Sequence, residues 1–305
     1  MKNVRIPIVV SMVALAVVVA GMAFAARSTR GQMQTPKSKS TVKPVVRITD
    51  RATSAGANAA SSVAVAEKNN VLKNELIWTY GGKQQRGWYL YDMLIGKTLN
   101  APRNQDPYAF AAAVAGWQKR KGLAPSGVLD EESLMAMVSQ WQSDRLKNRA
   151  YAEPDQLVTA PSSDFYDRER LIELRQVERS TYAAFKRMVA AAIADPTLNL
   201  EHTTSTELAP AEKCFKIISS FRSREYQDQL RRQSPNAGSA GLAVNSPHFT
   251  GRALDIYVGG DPVDTKDANR VIQVNSPAYQ WLVRNAERFG FRPYFYEPWH
   301  WEYVE

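Results

Sequence analysis

Residues Ile6 to Ala26 form an uncharged apolar stretch that follows Lys2 and Arg5 and precedes Arg27 and Arg30. A run of that length suits either an export signal or a bilayer-spanning helix. Ala23-Phe24-Ala25 has the small residues of a signal cleavage site, so residues 1–27 are expected to be a signal peptide or a membrane anchor. Either way, the rest of the chain is expected in the cell envelope, periplasmic or otherwise extracytoplasmic, secreted or anchored to the inner membrane by residues 6–26. Exported domains are often stapled by disulfides, but this chain has a single cysteine, Cys214. Its fold must therefore rest on core packing or on a metal. Beside Phe215 and Ile217, Cys214 reads as a small buried apolar residue and not as a reactive thiol.

The 305 residues suffice for two small folded units. A net charge of +9 favours anionic partners such as a membrane surface or wall polymer. No dense Lys/Arg block with interleaved aromatics is present, which argues against nucleic acid as a partner. Residues 28–70 are rich in Gly, Ser, Thr, Ala, Lys and Gln and read as a flexible linker. From residue 71 to 145 the chain is expected to fold as a small helical domain, with Trp78, Trp88, Trp117 and Trp141 among helix-forming stretches. Phe110, Ala113, Val114 and Trp117 share one helical stripe. Gly122 to Gly127 breaks it, and a second helix is expected with Asp130 as its N-cap and Leu134, Met137, Val138 and Trp141 inward. A helix ending in Trp117-Gln118, then Gly122-Leu123, a Ser126-Gly127-Val128 turn and a short helix resembles the peptidoglycan-binding repeat found beside many wall hydrolases. An ordinary helical hairpin remains the alternative.

Leu171, Leu174, Val177, Tyr182, Phe185, Met188, Val189, Ala192 and Ile193 recur at helical spacing, which predicts one long helix over 165–195 ending before Pro196. Strands are predicted at 215–221, at Ala253 to Val258 and over the aromatic segment Tyr294 to Val304. Helices are predicted over Glu225 to Gln233 and over Pro277 to Phe289, the latter closed by Gly290. Without a regular βαβ repeat, this order implies an α+β domain at 165–305, a small antiparallel sheet with flanking helices.

The chain has three histidines. His248 lies seven residues before Asp255, and both imidazole and carboxylate are good zinc ligands. Gly251 permits the bend that lets a residue before a strand and one within it face the same ion. His300 lies in Glu297-Pro298-Trp299-His300-Trp301. Positions three apart on a regular strand face opposite sides, so Glu297 and His300 can share a site only if the strand is irregular. Pro298 gives a reason for a bulge there. A catalytic zinc keeps three protein ligands and an open position for the water it acidifies. His248, Asp255 and His300 would be those ligands and Glu297 the base. Neither Cys214 nor the third histidine, His202, sits in a comparable motif.

These residues resemble the VanY-type D-alanyl-D-alanine carboxypeptidases, within the metallopeptidase group that includes lysostaphin-type enzymes and the hedgehog signalling domain. The pattern Ser-x-His…Gly-x-Ala-x-Asp is met at Ser246, His248, Gly251, Ala253 and Asp255, and Glu-x-Trp-His-Trp at Glu297, Trp299, His300 and Trp301. Ser219-Ser220-Phe221-Arg222-Ser223 followed by Gln227 matches a third element. The resemblance implies a zinc peptidase acting on peptidoglycan stem peptides, with Arg222 beside the developing oxyanion or gripping the substrate's carboxylate. Ser246 and Gln227 become candidate substrate contacts, and the N-terminal module a hold on cell-wall polymer. Phe249 departs from the small or amide residue that many relatives have there, which bears on substrate size. The alternatives are an endopeptidase of the same group and a non-catalytic wall-binding protein. No Gly-x-Ser-x-Gly elbow supports a serine hydrolase.

Overall fold

A computed structural model describes residues 50–101, 106–233 and 245–304. The expected signal or anchor at 1–27 lies outside them, and among the described residues no helix is long and apolar enough to cross a membrane. The linker expected over 28–70 meets the described residues at Asp50, and from there the chain is helical: α1 spans Asp50–Glu75. The segment lacks aromatics but is rich in alanine, the strongest helix former. Its C-terminal half also has a docking partner. Ala66 and Asn69 are buried, and Asn69 both donates to the Gly127 carbonyl (2.8 Å) and accepts from the Leu129 amide (2.8 Å).

After α1 the chain forms a hairpin, β1 (Ile77–Tyr80) and β2 (Lys83–Arg86), turning on Gly81 and Gly82, both at positive φ. Helices α2 (Asp92–Leu99), α3 (Pro107–Arg120) and α4 (Glu131–Ser143) follow. Asp130 caps α4 through the Ser133 amide, and Leu134, Met137, Val138 and Trp141 are buried, as the sequence predicts. Gln118 closes the α3–α4 turn: its amide group donates to the Val128 carbonyl (2.9 Å) and its oxygen accepts from the Gly127 amide (2.9 Å).

The single helix predicted over 165–195 is a correction. Only Arg179–Ile193 is helical (α5). Ile172–Leu174 is a 3-10 turn, and Gln176–Glu178 is a strand, β4, paired antiparallel with β3 (Leu157–Thr159). The Glu178 carboxylate accepts from the Ser180 and Thr181 amides and so starts the helix at that point. Leu171 and Ile172, which continue the apparent helical period, are exposed.

The C-terminal part is built on a four-stranded antiparallel sheet in the order β5 (Ile217–Ser219), β6 (Ala253–Ile256), β8 (His300–Tyr303), β7 (Phe291–Pro293). Around it lie α6 (Arg224–Gln233), α7 (Asp267–Asn275) and α8 (Pro277–Asn285), the last extended by a 3-10 turn that Gly290 closes at positive φ. The mixed architecture is α+β, as expected. The aromatic strand predicted over 294–304 is shorter: Tyr294 to Trp299 form the turn between β7 and β8. Leu254, Ile256 and Trp301 are fully buried with Phe185 and Met188 of α5 and Leu282 and Val283 of α8. Each such side chain contributes roughly 1.5–3 kcal/mol on burial. This fixes the register, because a slip of one residue would exchange Trp301 for His300.

Residues 52–305 form one compact unit, so the helical segment 71–145 and the sheet region share a body. Their buried side chains belong to one core: Trp78, Tyr91 and Trp141 pack on Phe295.

Candidate active site

Strand pairing sets Asp255 of β6 directly opposite His300 of β8. Alternation along the strands puts Ala253, Asp255, His300 and Glu302 on one face and Leu254, Ile256 and Trp301 on the core face. His248 comes from the 3-10 turn Pro247–Thr250 that precedes β6. Gly251 ends that turn at φ 66°, and a Cβ there would lie 2.8 Å from the Glu178 amide nitrogen, so the expected bend depends on glycine.

One ligand atom from each of His248, Asp255 and His300 lies within 4.8 Å of the others, and all three residues are buried. His248 Nδ1 sits 2.7 Å from the Ser220 carbonyl oxygen. A carbonyl can only accept, so Nδ1 carries the proton and Nε2 turns its lone pair toward Asp255 Oδ2, 3.3 Å away. His300 has a carboxylate on each side: Asp255 Oδ1 is 2.9 Å from Nδ1 and Glu302 Oε1 is 3.2 Å from Nε2. Two imidazoles and a carboxylate, with each outer nitrogen held by an acceptor, are a donor set that suits zinc.

Burial, with the nearby Arg222 cation, lowers the His248 pKa to about 4. Burial also opposes charge on His300, yet its hydrogen bonds to Asp255 and Glu302 raise it to about 9. Burial would likewise raise Asp255, but the charges and hydrogen bonds of the two histidines, with Arg222, hold it well below the usual range.

Glu297 does not sit on a bulged strand. It lies in the β7–β8 turn, where its amide donates to the Tyr294 carbonyl (3.1 Å) and its carbonyl accepts from the His300 amide (2.9 Å). Pro298, which has no amide proton, follows it, so the irregularity expected at this proline is present as a turn. Burial pushes the Glu297 carboxyl up to about 7; His300 pulls it down and Asp255 pushes it up. A carboxyl near neutrality can take and return a proton.

Arg222 follows β5. Its Nη2 donates to Asp255 Oδ2 (2.7 Å), its Nε to Ser219 Oγ (3.0 Å) and its Nη1 to Gln227 Oε1 (3.5 Å). The cation therefore stands beside the three candidate ligands. Ser246 and Gln227 are both buried: Ser246 Oγ caps the His248 turn and Gln227 holds Arg222. Both stand within the framework that holds His248 and Arg222. Phe249 is also buried, against Tyr151 and under the Arg224 guanidinium. Cys214 is partly buried, and burial raises its thiol to about 11, in keeping with an inert residue. His202 pairs with Leu208 in an isolated bridge and lies on the surface.

The sequence reading did not single out Glu302, which is completely buried, or Arg145 and Tyr294. Glu302 lies two residues beyond His300 on the same strand face, a signal that strand periodicity carries. Arg145 is 157 positions away from Glu302, and nothing local marks it.

Residues 175–305 match the model of the VanY family, described as D-alanyl-D-alanine carboxypeptidase. Over these residues the chain is similar to a VanY-type domain, which supports a peptidase of the carboxypeptidase type acting on peptidoglycan. His248, Asp255, His300, Glu297 and Arg222 all fall within the match, whereas Arg145 lies before it. No curated protein matches the chain at a significant level.

Proposed function

We propose that this protein is a zinc-dependent D-alanyl-D-alanine carboxypeptidase of the cell envelope, removing the terminal D-Ala of peptidoglycan stem peptides. The observation that carries this reading is the convergence of His248, Asp255 and His300 beside a carboxyl raised to about 7 and a fixed arginine. When bound by these three residues, zinc supplies Lewis acidity toward the scissile carbonyl and acidifies the attacking water.

Glu297 accepts the proton of that water and delivers it to the leaving amine. Arg222, held by Ser219, Gln227 and Asp255, offers positive charge that needs no reorganisation when the carbonyl oxygen becomes negative. Its alternative task is to grip the substrate's terminal carboxylate. Residues 71–145 would hold the enzyme near wall polymer, and residues 6–26 would export the chain or anchor it.

Full-length protein is incubated with a pentapeptide ending in D-Ala-D-Ala, with and without chelator, beside Glu297→Ala. Chelator-sensitive release of D-alanine is expected, rising with pH through about 7 as Glu297 loses its proton. The variant should lose about 10²- to 10⁴-fold in kcat, the usual contribution of a general base. Equal release from the variant would remove Glu297 from its role, and cleavage at an internal bond only would make the protein an endopeptidase.

A further inference from the structure

Outside the three candidate ligands, one network of charged side chains reaches the site from the part of the chain that precedes the family match. Arg145 follows α4. Its Nη2 donates to Glu302 Oε1, its Nη1 donates to Gln142 Oε1 (2.8 Å), and its guanidinium lies over the Tyr294 ring at 4.0 Å. The Leu146 amide donates to Glu302 Oε2 (2.9 Å). Gln142 in turn donates to the Tyr80 hydroxyl, which lies 3.2 Å from that of Tyr294. Tyr294 packs edge-on against the His300 ring, with 5.9 Å between centroids.

Glu302 is 0% exposed. A carboxylate taken fully out of water stays ionised only if it is paired and its lone pairs are satisfied. Three donors do this here: Arg145, the Leu146 amide and His300 Nε2. Two of the three come from before residue 175. An ionised carboxylate only accepts, so Glu302 holds a proton on His300 Nε2 as Asp255 does on Nδ1. Of the two nitrogens, Nδ1 lies beside the candidate ligand oxygen and is the one a metal would take, while Glu302 keeps the proton on Nε2.

We infer that Arg145 and Glu302 are positioning residues of the metal centre: the segment before the VanY-type domain fixes the Glu302 carboxylate, and Glu302 fixes which nitrogen of His300 faces the metal position. The inference rests on the proposed metal centre and assigns a task in it to residues 142–146. These residues are then part of the site's framework and not merely of a wall-binding attachment. A buried ion pair that served stability alone would have no effect on the tautomer of His300 or on metal affinity in a folded variant.

The test uses the full chain with Glu302→Gln, Arg145→Ala and Arg145→Lys. Glu302→Gln keeps the size of the side chain and one acceptor, which guards against loss of the fold, and near-ultraviolet circular dichroism checks each variant. Zinc affinity is measured by competition with a chromophoric chelator. Which His300 nitrogen keeps its proton in the zinc-bound protein is read from long-range ¹H–¹⁵N correlations. Wild type should bind zinc and keep its proton on Nε2 when zinc is bound. Folded Glu302→Gln and Arg145→Ala should bind zinc about 10- to 100-fold more weakly, the usual effect of losing a partner behind a ligating histidine. They should also show a mixed tautomer, with Arg145→Lys restoring part of both. Zinc binding by wild type with unchanged affinity and tautomer in both variants would overturn this inference and leave the proposed function standing. Failure of wild type to bind zinc would overturn both.

Discussion

The two histidines of the site are equally buried and sit in ring contact, with centroids 5.0 Å apart, yet the protein drives them in opposite directions. His248, backed by a neutral carbonyl and facing Arg222, stays uncharged down to about pH 4. His300, between two carboxylates, stays charged up to about pH 9 in the metal-free protein. The difference lies in what stands behind each ring. A backbone carbonyl is fixed by the fold of β5 and needs no charge of its own, whereas a buried carboxylate must itself be stabilised. That requirement ties the His300 edge to Arg145, while the His248 edge is closed within the local motif.

Asp255 is the residue that both edges share, so its loss should have the largest effect. Asp255→Ala removes a candidate ligand and the carboxylate that the buried Arg222 and His300 share. Zinc affinity should fall by more than the roughly 100-fold that loss of a supporting group costs. Denaturant titration of the metal-free variant should show a loss of about 3–5 kcal/mol, as for other buried pairs broken from one side. A smaller loss would mean that the two edges do not depend on a common carboxylate.

The next effect separates the edges by pH. Glu302 is drawn down from 4.5 to about 2: burial opposes this, but its hydrogen bonds to His300 and Arg145 outweigh burial. A depressed carboxylate contributes stability that is fully present above its unfolded pKa and is lost as pH falls through the folded one. The loss should therefore develop between about pH 4.5 and 2 and amount to about 3 kcal/mol. His300, raised from 6.5 to about 9, contributes below 6.5 and loses that contribution as pH rises through 9. The contact between them is a single interaction, so the two amounts do not add. His248 works the other way, because its lowered pKa means that the unfolded chain takes up its proton first and stability declines as pH falls from 6.5 toward 4. Urea titrations of metal-free protein across pH 2–9 would show these segments, and in Glu302→Gln the decline between 4.5 and 2 should shrink to the part that the depressed Asp255 carboxylate contributes.

How far the sequence discloses each edge follows from the range of the contacts. His248, Gly251 and Asp255 are close in the chain, and the bend at Gly251 is demanded by local geometry, so ligand chemistry and spacing suffice to group them. Glu297 and His300 also lie close, and Pro298 correctly marks an irregularity there. Its form, a turn between two short strands, depends on where β7 ends, which a run of aromatic residues does not reveal. Glu302 is within reach of strand alternation once His300 is placed. Arg145 is not, because its role arises only when the helical segment docks on the sheet. The same limit explains the long helix predicted over 165–195: the pairing of β4 with β3 is a tertiary contact that overrides the helical period, and the local cap at Glu178 then starts the helix after it.

The smallest expected effect tests the claim that the His248 edge needs only backbone. Ser220 is completely buried, its carbonyl accepts from His248 Nδ1, and its hydroxyl has no partner among the described residues. Ser220→Ala keeps the carbonyl and removes a hydroxyl whose unsatisfied burial costs about 1–3 kcal/mol. Because the small void left behind offsets part of that gain, stability should be unchanged or rise by up to about 1 kcal/mol. Zinc affinity should stay within about twofold of wild type, the scatter of a substitution that touches nothing essential. A tenfold loss in chelator competition would show that the hydroxyl, and not the carbonyl, orients His248. Both edges of the site would then depend on side chains, and the contrast with Glu302 would narrow to one of charge.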